Sequence, residues 1–243
     1  MNWLLILGAR SDIAKAVAHK FAKNGFNVYL AARNHQELGR DVRDVEIRYH
    51  VKAQAVEFDA LDYAGHQDFY EDLQEKPLGV VCAVGYLGNQ KKAELDFNEA
   101  DKIIRANYSG CVSILSVIAN DLEKRKKGFI IGISSVAGDR GRQSNYYYGS
   151  AKAGFSAFLS GLRNRLSRSN VAVITVKPGF VDTKMTEGMD LPPFLTSQPN
   201  EAAEDIYRAW EKRKDVVYTK WFWRWIMLAI KSIPEWIFKK MKL

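Results

Sequence analysis

The chain has only two cysteines and four histidines in 243 residues. Cys82 and Cys111 are far apart in sequence and each sits inside an apolar stretch. That argues against a disulfide framework and for a reducing compartment, with two core thiols as the simplest reading. His19, His35, His50 and His66 show no ligand spacing, so no metal site is expected and surface or boundary positions account for them. No basic region precedes the first apolar run, and only five residues separate Asn2 from Gly8. A secretory signal is therefore not expected, and the expected location is cytoplasmic. No internal repeat and no linker interrupts the chain.

What is present suits one α/β domain. The length can bury a full core, and the hydrophobic fraction is 47% with six prolines. The net charge of +8 is uneven: residues 212–243 hold nine Lys and Arg against the acids Asp215 and Glu235, a balance of +7. The remaining body is almost neutral, which argues against a general nucleic-acid role and directs attention to the tail.

Short apolar runs at 3–7, 26–32, 53–58, 78–84, 129–133 and 171–176 read as buried parallel strands, with a further short one at 216–219. Helical spacing predicts helices from Asp12 to about Asn24, His35 to Arg48, 64–73, 98–122, 145–167 and 201–212. Strands alternating with helices imply a doubly wound, mostly parallel sheet covered on both faces, Rossmann-like, over residues 1–219. Residues 179–200 hold three of the six prolines and read as a mobile loop.

Gly8, Ala9, Arg10, Ser11, Asp12, Ile13 and Ala14 lie between the first strand and the first helix, where backbone amides and the helix dipole can hold a pyrophosphate. Only Gly8 keeps the usual glycine-rich spacing; Asp12 and Ala14 take the other two positions. An acid there repels phosphate unless it turns away to cap the helix, a role Asp fills well. The second strand ends in Ala31, Ala32 and Arg33, with no carboxylate to repel a 2′-phosphate. Arg10 and Arg33 could bind one, so NADP is the better choice over NAD.

Ser135 follows the strand at 129–133, and Tyr148 and Lys152 lie four apart on one face of the helix that follows. An ammonium beside a phenol stabilises the phenolate, so such a tyrosine could pass a proton although tyrosine ordinarily titrates near about 10. A Tyr–Lys pair also arises as a packed ring beside a solvated amine, and the pair acquires meaning only with the rest of the chain.

With Gly8 in the turn, Asp59 after the third strand, Asn107 in the long helix, Ser135, Tyr148 and Lys152, and Pro178-Gly179-Phe-Val-Asp-Thr183, the chain resembles the short-chain dehydrogenase/reductase family over about residues 3–210. The resemblance implies a compact Rossmann-like oxidoreductase that moves hydride between NADP(H) and a carbonyl or secondary alcohol. Tyr148 would be the proton donor, with Ser135 holding the carbonyl oxygen. Lys152 would bind the nicotinamide ribose, and Asn107 would support it through water. Cofactor contacts are implied at Gly8, Arg10, Ser11, Asp12 and Ile13 in the turn, at Arg33 and Asp59, and at Ala83 and Gly85 after the fourth strand. Tyr148 and Lys152 would add to these, with Pro178, Gly179, Val181 and Thr183 closing over the nicotinamide. The family's Asn-Asn-Ala-Gly station reads Cys82-Ala83-Val84-Gly85 here. Family members pair through long helices, which implies a homodimer or homotetramer.

Residues 220–243 form a basic aromatic amphipathic tail. Four of six tryptophans fall here with lysines interleaved, and its longest clean apolar run, Trp225 to Ile230, is too short to cross a bilayer. Two readings stand: a segment lying at the inner membrane surface, or a contact with a partner subunit. The ending is also loosely similar to that of bacterial reductases of polyprenyl-phosphate keto sugars, which implies a lipid-linked carbonyl substrate. A soluble 3-oxoacyl or small-carbonyl reductase, and an NADP-binding scaffold without turnover, are the alternatives.

Overall fold

Successive residues of an apolar strand face opposite sides, and here both sides are covered. The computed structural model describes residues 1–241, leaving Lys242 and Leu243 of the tail outside the description. β1 (Trp3–Leu7) sends Leu4 and Ile6 into one core and Leu5 and Leu7 into the other, so no polar residue alternates with them. α1 (Asp12–Lys23) leads to β2 (Asn27–Ala32). A single 3₁₀ turn then precedes α2 (Gly39–Tyr49), where one helix from His35 was predicted. β3 (Ala53–Glu57), α3 (His66–Glu71) and β4 (Gly79–Cys82) complete the first half.

Two features of the second half escape the periodicity. α4 (Gln90–Leu95) is a short helix capped by Asn89. The long predicted helix is α5 (Phe97–Ile104) and α6 (Gly110–Arg125) joined by a widened π turn over Arg105–Ser109. β5 (Gly128–Ile133), α7 (Tyr146–Leu166) and β6 (Val171–Pro178) follow as expected, β6 running two residues further. The presumed loop at 179–200 contains a two-stranded parallel pair, β7 (Phe180–Val181) with β8 (Thr196–Ser197). α8 (Pro199–Glu211) and β9 (Val216–Thr219) close the domain, and α9 (Trp223–Ser232) and α10 (Glu235–Phe238) form the tail.

The seven main strands are all parallel in the order β3-β2-β1-β4-β5-β6-β9. The chain winds outward from β1 and then crosses to start again at β4. The crevice beyond the ends of β1 and β4 is the switch point where open α/β sheets bind ligands.

One expectation is corrected. His66 is not at the surface: its residue is buried, with Nδ1 at 2.9 Å from Ser113 Oγ and Nε2 at 3.2 Å from Asp59 O. The two cysteines are free core thiols, as expected, and the neighbouring Cys82 together with burial pushes the Cys111 thiol up. The tail is built into the body: Trp223 and Met227 are buried against Val136, Phe180, Leu195 and Tyr218.

Candidate active site

Gly8 sits where the ends of β1 and β4 converge. Its φ is +80°, and a Cβ there would lie 2.9 Å from Ala83 C, Ala83 O and Val84 N. Only glycine lets these turns close together. Ser11, not Asp12, caps α1: its hydroxyl accepts from Ala14 N at 3.1 Å. Asp12 turns across the crevice, and its Oδ2 accepts from Lys184 N at 2.9 Å. The acid at the glycine position therefore ties the segment after β7 to the turn. The first-turn amides of α1 have no partner inside the helix. They border a cavity of about 530 Å³.

That cavity is lined by Gly8, Arg10, Ser11, Asp12, Ile13, Arg33, Asp59, Ala83, Gly85 and Thr183, ten residues read from the sequence for a cofactor. Pro178, Gly179 and Val181 lie outside the lining: Pro178 ends β6, Val181 is buried in β7, and the Trp223 indole covers Gly179. Asp59 Oδ1 accepts from Leu61 N at 2.9 Å, and His66 holds the Asp59 carbonyl. Arg10 pairs with Glu37 at 2.7 Å, both half exposed. Glu57, at the end of β3, accepts from the N–H groups of Asn34 and His35 and from the His35 ring, which hold its carboxyl below the usual range. The turn after β2 is thereby pinned, with Arg33 exposed on the rim. Sequence reasoning missed Glu37, Lys102 and Lys184 here, because nothing in their spacing ties them to the turn.

Beyond this cavity lie Lys152, Tyr148 and Asn107, three of the residues read from the sequence as catalytic. Lys152 is 2% exposed, and its Nζ donates to Ile133 O at 3.1 Å and Val84 O at 3.4 Å. It lies 5.8 Å from the centre of the Tyr148 ring. Asn107 is fully buried: Nδ2 donates to Tyr86 O at 2.6 Å and Ile103 O at 2.8 Å, while Oδ1 accepts from Tyr86 N at 3.2 Å. Ile103 O lies four residues back, where an α-helix directs its own backbone N–H. The inserted side chain accounts for the π turn. A Cβ on Gly85 would be 3.4 Å from Asn107 Oδ1 and 3.7 Å from Lys152 Nζ, so these two groups share one small space.

Ser135 opens a 3₁₀ turn, Val136–Gly138, with its Oγ accepting from Ala137 N at 3.1 Å. The hydroxyl hydrogen remains free to donate. Neighbouring Ser134, which sequence reasoning left without a role, donates to Lys152 O at 2.9 Å and meets Ser156 Oγ at 2.7 Å. It fixes the end of β5 to α7. Asp139 anchors the loop from behind by pairing with Lys177 and accepting from Tyr218 Oη at 2.8 Å, and burial pushes the Tyr218 phenol up.

The arrangement is that of a parallel α/β fold with a crevice at its switch point and Asn107, Lys152 and Tyr148 near it. Residues 2–191 match the short chain dehydrogenase family, and the chain belongs to it. It is 36% identical over 241 residues to an uncharacterized oxidoreductase of Mycobacterium tuberculosis, covering 98% of this chain and 96% of that one. A 3-oxoacyl-[acyl-carrier-protein] reductase of Aquifex aeolicus is 26% identical over 185 residues, 75% of each chain. The fold superposes on a short-chain dehydrogenase from Sphingobium yanoikuyae in complex with NADPH with a TM-score of 0.83, at 20% identity and 97% coverage of both chains.

Proposed function

We propose that this oxidoreductase is an NADPH-dependent carbonyl reductase. The observation that carries the reading is the buried Lys152 ammonium, held by two backbone carbonyls one helical turn from Tyr148 and beside Asn107. A bound nicotinamide supplies the hydride. Tyr148 gives its phenolic proton to the carbonyl oxygen of the substrate, and the free Ser135 hydroxyl hydrogen bonds to the same oxygen. Lys152 stabilises the phenolate left behind. Preference for NADPH is supported by Arg33 on the rim, by Arg10 across from it, and by the commitment of Glu57 to the turn. Titration of the tryptophan emission with NADPH and with NADH tests this. NADPH binding at least about tenfold tighter is expected from one added phosphate–arginine pair. Equal affinities, or binding of neither, would overturn it.

The substrate reading we favour is a hydroxyl-rich ketone carried on a lipid, such as a polyprenyl-linked keto sugar. Arg142 Nε and Asn145 Oδ1, both on the loop joining Ser135 to Tyr148, are buried without hydrogen-bond partners among the described residues. Buried polar atoms are ordinarily satisfied, and hydroxyl groups could satisfy these. A 3-oxoacyl chain offers them little. Turnover of a lipid-linked keto sugar compared with a 3-oxoacyl thioester separates the two, and exclusive use of the thioester would remove the sugar reading.

A further inference from the structure

The tail divides into an inner and an outer face. Inward, Trp223 and Met227 are buried one turn apart, and Trp223 Nε1 donates to Leu195 O at 3.2 Å. Outward, Trp225 and Leu228 are 57% and 54% exposed, with Arg224 and Lys231 also exposed. Trp236 on α10 is 66% exposed and Trp221 73%. A monomeric surface rarely presents so many large apolar groups on one short segment.

The segment is also fixed in place. Arg140, five residues after Ser135, donates from Nη1 to Ile230 O and Ile233 O, each at 2.6 Å, and from Nη2 to Glu235 at 2.9 Å. Its guanidinium also lies 3.7 Å from the Phe238 ring centre. α9 is thus clamped between the loop that follows the serine and the β7–β8 pair, on the substrate side of the molecule.

We propose that the outer face of α9 and α10 docks on an anionic lipid bilayer, with the substrate side of the enzyme turned toward the membrane. Charge selects this occupant over a second copy. A two-fold contact would set the same patch against itself. On and just after these helices Arg224, Lys231, Lys239 and Lys240 are exposed, and the one acid, Glu235, is paired with Arg140, so such a contact would face its own repulsion. An anionic headgroup layer takes the cations, while the indoles of Trp225 and Trp236 sit at headgroup depth beside Leu228. The inference stands apart from the choice of substrate.

The test is co-sedimentation of the full chain with vesicles of phosphatidylcholine alone and with phosphatidylglycerol added. Binding is expected only to the anionic vesicles, and to fall about fivefold for each of Arg224→Gln and Lys231→Gln. Trp225→Glu with Trp236→Glu should abolish it. Both side chains are exposed, so cofactor binding measured by NADPH fluorescence should be unchanged and report a folded protein. Protein remaining in the supernatant with anionic vesicles would overturn the proposal. So would a tryptophan double variant that binds vesicles normally but loses self-association in sedimentation velocity.

Discussion

At the scale of single residues, Tyr148 and Glu37 separate chemistry from cofactor choice. Tyr148→Phe removes one oxygen and leaves the ring against its neighbours, so NADPH binding should be retained. Carbonyl reduction should fall by about 10²- to 10⁴-fold, the range for a general acid, as measured by NADPH oxidation. A variant with unchanged turnover would displace Tyr148 from the mechanism. Glu37 holds Arg10 at 2.7 Å and so sets a carboxylate beside a guanidinium proposed to bind a 2′-phosphate. Glu37→Gln frees the guanidinium and removes that charge, so the NADPH-over-NADH ratio should rise several-fold, on the order of 1 kcal/mol for one exposed ion pair. A falling ratio would mean that the pair itself shapes the site. Asp12 shows how a residue can be legible in position and misread in partner. Its place at the turn is plain from the sequence, but its hydrogen bond runs to Lys184, 172 positions away, and no local pattern encodes that.

At the scale of elements, the strands and the helix carrying Tyr148 were legible because burial on both faces leaves continuous apolar runs, and α7 follows its expected span within a residue. α4, the β7–β8 pair and the π turn were not: α4 is only six residues long and β7 and β8 two each, while the π turn depends on Asn107 reaching Tyr86. Asn107 joins the π turn to Tyr86, and His66 joins α3 to α6 through Ser113 and to the end of β3 through Asp59. Asn107→Ala would leave Tyr86 N–H and two carbonyls without partners, and a loss of about 1–3 kcal/mol in urea unfolding is expected. For His66, burial holds the imidazole below its ordinary value of 6.5. The unfolded chain therefore takes up this proton first. The stability His66 contributes is full above 6.5 and is lost as pH falls through the lower folded value. His66→Asn, which can keep a hydrogen bond to Ser113, should flatten that acid limb; an unaltered pH dependence of unfolding would show that other groups set it.

For the whole molecule, the described tail, residues 220–241, is either an appendage or a wall of the domain. Composition separates them from the body by charge, and the sequence reading placed a boundary at 219 on that ground. Packing joins them to it, because burial of Trp223 and Met227 depends on surfaces contributed by Val136, Phe180 and Leu195, far apart in the chain. Arg140 makes the same point from the other side: its side chain is 13% exposed, and its acceptors lie in the tail. A chain ending at 220 would uncover the apolar patch beside Ser135 and leave this guanidinium without those acceptors. Two large apolar side chains withdrawn from a core correspond to about 3–6 kcal/mol, and the unpaired arginine adds to the loss. Truncation should therefore lower the melting temperature and the solubility, with reductase activity on a water-soluble ketone lost as well. An appendage would give the opposite result: a truncated protein melting like the full chain, active on soluble ketones and altered only toward vesicles. Scanning calorimetry of the two chains in vesicle-free buffer decides between them. Because the clamp at Arg140 lies five residues from Ser135, a shifted melting transition is expected to accompany the loss of turnover rather than follow it.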